Sequence, residues 1–227
     1  MYKFVLVLVV IIVLYYYFSK QRFCNTTKNT CILLTTCINT INGDINERLN
    51  LYLNVINEYL NKTNLIIYVV ESSGYNFPEF KNNPRIIVHS FKSTREKVNS
   101  SVLEAESILS AINNLNLSNY EYIIKITGRY YIPNLTKLID DMPENADLFF
   151  QNKHDHVDKF QNSEIFGCKI KYMYLICNQI INNEPVLFES VLYAFSLDKN
   201  FVIYRFPEIK LEKPVTRGGD KMVMEEL

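Results

Sequence analysis

Five short runs of apolar residues, rich in β-branched side chains, are each closed by polar residues or glycine, and this pattern predicts buried strands. The five runs are Thr30–Asn39, Leu65–Val70, Arg85–Phe91, Tyr122–Ile126 and Asp147–Gln151. Apolar residues recur at helical spacing in the segments Ile45–Leu60, Ser100–Leu115, Thr136–Met142, Ile170–Ile181 and Val186–Phe195. Continuously apolar strands that alternate with helices are typical of an α/β sandwich with a mainly parallel sheet.

The first apolar segment, Phe4–Phe18, has no polar side chain other than tyrosine. A membrane-spanning helix needs about 20 residues, so this segment is long enough when its flanks are included. Its tyrosines cluster at one end, as in an interfacial aromatic belt, and the following SKQRF offers no small-residue cleavage site. We therefore predict a single-pass, uncleaved signal anchor over residues 1–22, a short stalk over 23–29 and one domain over 30–227.

The charges beside this apolar segment leave its orientation open. Lys3 precedes it, whereas Lys20, Arg22 and Lys28 follow it. The positive-inside rule leans weakly toward a domain in the cytosol. A type II anchor, with the domain in the lumen of the ER or Golgi, remains the alternative.

Composition narrows the function classes. Of the 227 residues, 48% are hydrophobic and 21% are charged, which is typical of a globular domain. The formal net charge is zero, which argues against nucleic-acid binding because such proteins usually carry a basic excess. The five cysteines include no CxxC pair, so they predict small buried side chains rather than a zinc site.

The predicted strands end in polar or charged segments. In parallel α/β sheets, ligands bind beyond the carboxyl ends of the strands. We therefore expect the functional site among the segments Cys37–Asn39, Glu71–Gly74, Ser90–Lys97 and Thr127–Tyr131.

The string IIYVVESSGYN resembles the second strand of family-2-like glycosyltransferases with the GT-A fold. In that family the strand ends on an acidic residue and a Gly/Ser turn, and the carboxylate accepts a hydrogen bond from the nucleotide base. The resemblance implies that Glu71 and Ser72 bind the donor nucleotide. The alternative is an ordinary turn with an exposed glutamate.

The string SFKSTREKVNSSVLEAESILSAI resembles the basic loop and helix that lie beside the sugar diphosphate in the same family. Lys97 and Arg95 precede the predicted helix, and Ser100 and Ser101 are candidate N-caps. A helix N-terminus with nearby cations suits a diphosphate. A capped helix preceded by solvated charges is the alternative.

The string YEYIIKITGRYYIP stands where GT-A enzymes carry the metal-binding Asp-x-Asp motif. Here Thr127, Gly128 and Arg129 replace it, and the string is similar to KITGRY-type strings of virus-encoded and bacterial glycosyltransferase-like proteins. The resemblance covers roughly residues 30–150. It implies a GT-A-like (Rossmann-like) three-layer sandwich, with Thr36 and Asn39 of the first strand end also binding the donor.

The missing carboxylates suggest how the donor diphosphate is held. A leaving nucleoside diphosphate needs a metal ion or fixed cations to stabilise its charge. We expect Arg129, with Lys97 or Lys125, to supply that charge, and Gly128 to let the backbone approach the ligand. The alternative is that Arg129 forms an internal ion pair and that Lys125 extends its ammonium to solvent.

A divalent cation remains a second possibility. In NKHDHVD, His154 and His156 are two residues apart and would face the same side of a strand. Asp220 in the glycine-rich segment PVTRGGDKM is a third candidate ligand. No cofactor is certain, and Mn²⁺ or Mg²⁺ is the candidate.

The acceptor hydroxyl needs a base. In INNEPVLFESVLYAF, the resemblance points to Glu189 near the start of a helix, with Glu184 as the alternate. Residues 162–167 are expected to line the acceptor cleft. A carboxylate at a helix start is equally explained by the helix dipole.

Together these features predict a membrane-anchored, hexosyltransferase-like glycosyltransferase, with a nucleotide-sugar donor and a glycan, glycoprotein or lipid-linked acceptor. A catalytically silent GT-A-like protein that binds glycans or partners is the alternative, supported by the lost Asp-x-Asp. A nucleotidyltransferase is less favoured because the first strand ends in no glycine-rich loop with a lysine.

Overall fold

A computed structural model describes residues 29–40, 44–95, 99–152, 154–155, 157–216 and 223–227. The predicted anchor lies outside these residues, as does the predicted stalk except for Asn29. Within the described part of the chain, no helix combines the length and the apolar character needed to cross a membrane.

The chain alternates strands and helices through most of its length. The strands are β1 (Thr30–Thr36), β2 (Ile67–Glu71), β3 (Ile86–Ser90), β4 (Tyr122–Thr127), β5 (Leu148–Phe150), β6 (His154–Asp155), β7 (Phe160–Gln161), β8 (Ile165–Lys169), β9 (Ile203–Arg205), β10 (Lys210–Thr216) and β11 (Val223–Glu226). The helices are α1 (Ile45–Lys62), α2 (Ser100–Asn114), α3 (Leu135–Asp140), α4 (Ile170–Asn182) and α5 (Phe188–Leu197).

The central sheet has seven strands in the order β3-β2-β1-β4-β8-β5-β9. Strands β1 to β4 are parallel to one another, and β9 is parallel to β5. Only β8 is antiparallel to its neighbours β4 and β5 in this sheet. The prediction of a mainly parallel α/β sheet is therefore confirmed.

Both faces of the sheet are covered. Ile32 and Leu34 of β1 face the core that contains α1 and α3, whereas Cys31 and Leu33 face the core that contains α2, α4 and α5. Successive strand residues point to opposite faces, so a strand buried on both sides is apolar throughout. This explains why β1 reads as an uninterrupted apolar run and gives the three layers expected from the sequence.

Strand β8 was not predicted from the sequence. Its residues Ile165–Cys168 are almost completely buried, but Gly167 interrupts the β-branched pattern. A Cβ atom at Gly167 would lie 2.8 Å from the carbonyl oxygen of Ile123 on β4 and 2.9 Å from Cγ1 of Ile124. Glycine is therefore needed there because β4 packs too closely for a side chain.

The buried faces of the helices include polar side chains whose hydrogen bonds are satisfied. On α1 the buried residues are Tyr52, Val55, Ile56 and Tyr59. Leu49, Leu53 and Leu60 pack against the same core but are only partly buried. Tyr59 can be fully buried because its hydroxyl accepts the backbone N–H of Ile132 at 3.1 Å and is satisfied inside the core. Helix α2 is capped by the Asn99 side chain, which accepts the backbone N–H of Val102 at 2.9 Å.

Candidate functional site

A cleft of about 520 Å³ opens at the carboxyl ends of β1 and β4. The first turns of α2, the loop between β7 and β8, and the start of α5 form its other walls. Of the residues predicted from the sequence, it brings together Thr36, Ser72, Thr127, Arg129 and Glu189. The cleft lies where an α/β sheet of this topology binds ligands.

Gly128 fixes the contact between the ends of β1 and β4. Its backbone N–H donates to the carbonyl of Thr35 at 2.8 Å. A Cβ atom on Gly128 would lie 2.5 Å from Cγ2 of Thr36. Glycine is thus required by the neighbouring strand, a reason different from the close approach to a ligand that the sequence suggested.

Arg129 follows directly and lines the cleft. Among the described residues, no carboxylate lies within ion-pair distance of its guanidinium, and its buried Nε has no hydrogen-bond partner. Arg129 also borders a second groove beside α1, where the carboxylates of Glu58 and Glu212 both pair with Lys62. The expected alternative, an internal ion pair for Arg129, is therefore not found in the described structure.

Arg48 is a second cation at the cleft, and the sequence did not single it out. Its Nε donates to the carbonyl of Cys37 at 2.9 Å and its Nη2 to the hydroxyl of Tyr52 at 3.0 Å. These bonds hold the guanidinium at the end of β1. The sequence pattern places Arg48 among the polar residues of α1, so only the tertiary fold brings it to the same cleft as Arg129.

Lys125 has a different environment from the one expected. Its side chain is fully buried, and its Nζ lies 2.8 Å from Glu104 Oε1, 3.0 Å from Thr127 Oγ1 and 2.7 Å from the Ser163 carbonyl oxygen. An ammonium group has three N–H donors, and these three acceptors occupy them. Lys125 therefore neither reaches solvent nor has a hydrogen left for a diphosphate.

Glu104 is the acidic partner of Lys125 and was also missed by the sequence analysis. It projects from the second turn of α2 into the cleft, where a quarter of its side chain is exposed. Its Oε1 accepts from Lys125 and from the Thr35 hydroxyl at 2.7 Å. The sequence signal was present, since a buried lysine in β4 needs a charged partner, but no pattern identified which one.

Glu71 is fully buried at the end of β2. Its carboxylate accepts the backbone N–H groups of Ile38, Ser73 and Tyr75, at 2.7 to 2.9 Å, and the Ser73 hydroxyl. These donors tie the turn after β2 to the loop after β1. The predicted exposed-turn alternative is wrong, and the expected contact to a nucleotide base would have to compete with four protein donors.

The other two predicted donor residues of this edge lie beside that carboxylate. The Ser72 hydroxyl donates to the Thr36 carbonyl at 3.1 Å and lines the cleft. Asn39 is exposed, and its backbone N–H donates to the Ser73 hydroxyl at 3.0 Å. Both residues are therefore accessible to a ligand at this edge of the sheet.

Glu189 lies in the first turn of α5 and faces the cleft. Its Oε1 accepts the hydroxyl of Ser163 at 2.7 Å. The alternate, Glu184, is exposed and accepts the backbone N–H of Asn99 at 3.3 Å, outside the residues that line the cleft. Of the two carboxylates, only Glu189 is placed to act on a ligand in this cleft.

Several predicted residues cannot be located. Lys97, His156 and Asp220 lie outside the described residues, and only the backbone of His154, in β6, is described. The structure described contains no group of three or more potential metal-ligating side chains. At the end of β4 the donor set is threonine, glycine and arginine, which does not fit a divalent cation there.

Many solved structures are similar to this chain, among them two with TM-scores of 0.50 or more. A protein assigned as a nucleotide-diphospho-sugar transferase, from Desulfovibrio desulfuricans G20, matches with a TM-score of 0.51 and 11% identity over 80% of each chain. The glycosyltransferase GlyE of Streptococcus pneumoniae TIGR4 matches with a TM-score of 0.50 and 10% identity, over 78% of this chain and 46% of GlyE. No protein-family model and no curated protein sequence matches the chain. The two structural matches, together with the sheet order, show that the fold is the GT-A-like α/β sandwich that the sequence predicted.

Proposed function

We propose that this protein is a glycosyltransferase that uses a nucleotide-sugar donor. The observation that carries the proposal is that Arg129, which has no acidic partner among the described residues, lies in the same cleft as Glu189. A cation for a leaving diphosphate and a carboxylate for an attacking hydroxyl are the two charges that this reaction needs. The names of the two similar structures agree with this reaction class.

The reaction requires one bond to form and one to break. The acceptor hydroxyl oxygen forms a bond to the anomeric carbon of the sugar, and the bond from that carbon to the diphosphate oxygen breaks. Its electron pair leaves with the nucleoside diphosphate, where a guanidinium fork binds phosphate oxygens. The proton of the acceptor hydroxyl passes to the Glu189 carboxylate, which the Ser163 hydroxyl holds in place.

We assign the diphosphate to Arg129, with Arg48 as the second cation. Both guanidinium groups line the cleft, whereas Lys125 is committed to Glu104. Lys97 remains a candidate from the loop before α2. Because the residues at the end of β4 do not fit a divalent cation, we propose that transfer does not depend on a metal ion at that place.

The proposals for the acceptor and the location are supported by the sequence alone. We propose a glycan, glycoprotein or lipid-linked acceptor, presented to the Ser163 side of the cleft. We also retain the proposal that residues 4–18 anchor the protein in a membrane, because that segment is apolar throughout. Enzymatic deglycosylation of the native protein would test the orientation, since Asn-x-Ser/Thr triplets such as those at Asn25 and Asn61 are glycosylated only in the lumen.

The test is a screen of UDP-, GDP- and dTDP-sugars for hydrolysis by the full chain, with Mn²⁺ and with EDTA. We expect turnover of at least one donor that persists in EDTA. Turnover that requires Mn²⁺ would contradict metal independence. Absence of both binding and hydrolysis would contradict the glycosyltransferase proposal.

A catalytically silent GT-A-like protein is the second candidate, because no carboxylate occupies the Asp-x-Asp position. It predicts that a glycan or a nucleotide sugar binds without turnover. The two candidates are separated by running isothermal titration calorimetry and the hydrolysis assay on the same set of nucleotide sugars.

A further inference from the structure

The two oxygens of the Glu104 carboxylate have different surroundings. Oε1 accepts from the buried Lys125 ammonium at 2.8 Å and from the Thr35 hydroxyl at 2.7 Å. Within the described residues, Oε2 makes no hydrogen bond or ion pair, and the side chain is 25% exposed in the cleft wall. The carboxylate is therefore fixed through one oxygen and presents the other to a ligand.

The charge of Glu104 determines which part of a ligand it can meet. A carboxylate accepts hydrogen bonds and repels phosphate. Arg129 and Arg48 attract phosphate in the same cleft. A nucleotide sugar that fills the cleft must therefore place an uncharged hydrogen-bond donor against Glu104, either a hydroxyl of a sugar or an N–H of the base.

The contacts of Lys125 indicate that this group is the transferred sugar rather than the ribose or the base. Lys125 Nζ lies 2.8 Å from Glu104 Oε1 and 2.7 Å from the carbonyl oxygen of Ser163, and so bridges the two. The hydroxyl of Ser163 in turn binds Glu189 at 2.7 Å. Glu104 thus lies at the end of the cleft where the acceptor hydroxyl attacks the sugar, and not at the turn after β2.

We propose that Glu104 binds a hydroxyl group of the transferred sugar and so helps to determine which nucleotide sugar the cleft accepts. This inference rests on the proposed glycosyltransferase function. Lys125 is a positioning residue in this arrangement, because it touches Glu104 and not the sugar.

The experiment compares affinity with and without the sugar. Isothermal titration calorimetry is run on the full chain with UDP, GDP and dTDP and with their glucose, galactose, mannose and N-acetylglucosamine conjugates. For E104Q we expect the affinity for the donor that the wild type binds to fall about tenfold or more, because a charge-assisted hydrogen bond is lost. The affinity for the matching nucleoside diphosphate should not fall, because the free diphosphate makes no hydrogen bond to Glu104 and E104Q removes a charge that repels phosphate.

Two further variants make the test specific. E106Q changes the same residue type on the same helix, but Glu106 pairs with Arg95 and does not line the cleft, so it should leave both affinities unchanged. The double variant E104Q/K125M removes the lysine charge that E104Q alone would leave without a carboxylate. If E104Q alone is poorly folded, the double variant is used in its place: it should bind the sugar nucleotide more weakly than the wild type does, and the free diphosphate no more weakly.

The outcomes separate the inference from the function on which it rests. An equal loss for the sugar nucleotide and the free diphosphate, or no loss for either, would overturn the role of Glu104 while leaving the glycosyltransferase proposal intact. A wild-type protein that binds none of the probes would overturn both.

Discussion

The Lys125 ammonium lies 2.8 Å from the Glu104 carboxylate, and the two residues are unequally buried: the lysine side chain is fully enclosed, whereas a quarter of the glutamate side chain is exposed. The pair joins β4 to α2 beneath the cleft. An unpaired charge costs more where water cannot reach it. Removing the glutamate and removing the lysine should therefore lower the free energy of unfolding by different amounts.

We expect E104Q to lower the free energy of unfolding by about 3 kcal/mol, because it leaves the buried lysine charge without a carboxylate. K125M should cost only about 1 kcal/mol, since the exposed side of Glu104 retains water. Urea unfolding followed by circular dichroism measures both. If K125M lowered the free energy of unfolding more than E104Q does, the buried lysine would not be the more costly charge to leave unpaired.

Gly128 tests the close contact between β1 and β4. In G128A the new methyl carbon would lie 2.5 Å from Cγ2 of Thr36, so we expect a loss of about 1–3 kcal/mol, typical of overpacking. T36S removes that methyl group and keeps the hydroxyl that donates to the Val70 carbonyl at 3.2 Å. The double variant G128A/T36S should therefore recover part of the loss, and strict additivity of the two changes would contradict the contact.

Glu189 and Glu184 provide a matched pair of carboxylates. If Glu189 takes the acceptor proton, E189Q should lower kcat for donor hydrolysis, where water is the acceptor, by roughly 10²–10⁴-fold. KM should change little because the donor contacts are retained. E184Q lies outside the cleft and should change kcat less than about threefold. If E189Q and E184Q lowered kcat equally, the assignment of Glu189 as the base would be wrong.

His89 makes stability depend on pH. Burial lowers the pKa of His89 below its ordinary value. The unfolded chain therefore takes up a proton at a higher pH than the folded chain, so the His89 contribution to stability is present above the unfolded pKa of about 6.5 and is lost as pH falls. Between pH 7.5 and 5.5, the free energy of unfolding should fall less for H89Q than for the wild type. Parallel pH profiles for the two proteins would contradict this.

The sequence predicted the parallel half of the sheet well, and for a physical reason. Strands β1, β2 and β4 are buried on both faces, so each appears as a short, mostly apolar run rich in β-branched residues. Strand β8 has the same burial but contains Gly167, which the packing against β4 requires. A pattern based on hydropathy and β-branching cannot recognise a strand whose key residue is chosen for its lack of a side chain.

The site was predicted in part. Arg129 and Glu189 belong to segments that follow or begin an element, so their position at one edge of the sheet could be inferred from topology. Arg48 and Glu104 lie within helices whose charged residues look solvated in the sequence. The same limitation explains Lys125, which the sequence analysis expected at the diphosphate or extended to solvent. Its ammonium is buried because the fold brings acceptors to it from α2 and from the loop before β8.

The central claim is that Arg129 binds and stabilises the diphosphate of a nucleotide-sugar donor. The most direct test is kcat for hydrolysis of the identified donor in EDTA, measured for the wild type, R129A, R129K and the control K171A, which changes an exposed cation on α4 outside the cleft. We expect R129A to lose about 10²-fold or more in kcat, because one charge-stabilising donor is removed. R129K should recover only part of this because it lacks the bidentate fork, and K171A should match the wild type. If R129A hydrolysed the donor with the same kcat as the wild type, Arg129 would not stabilise the diphosphate.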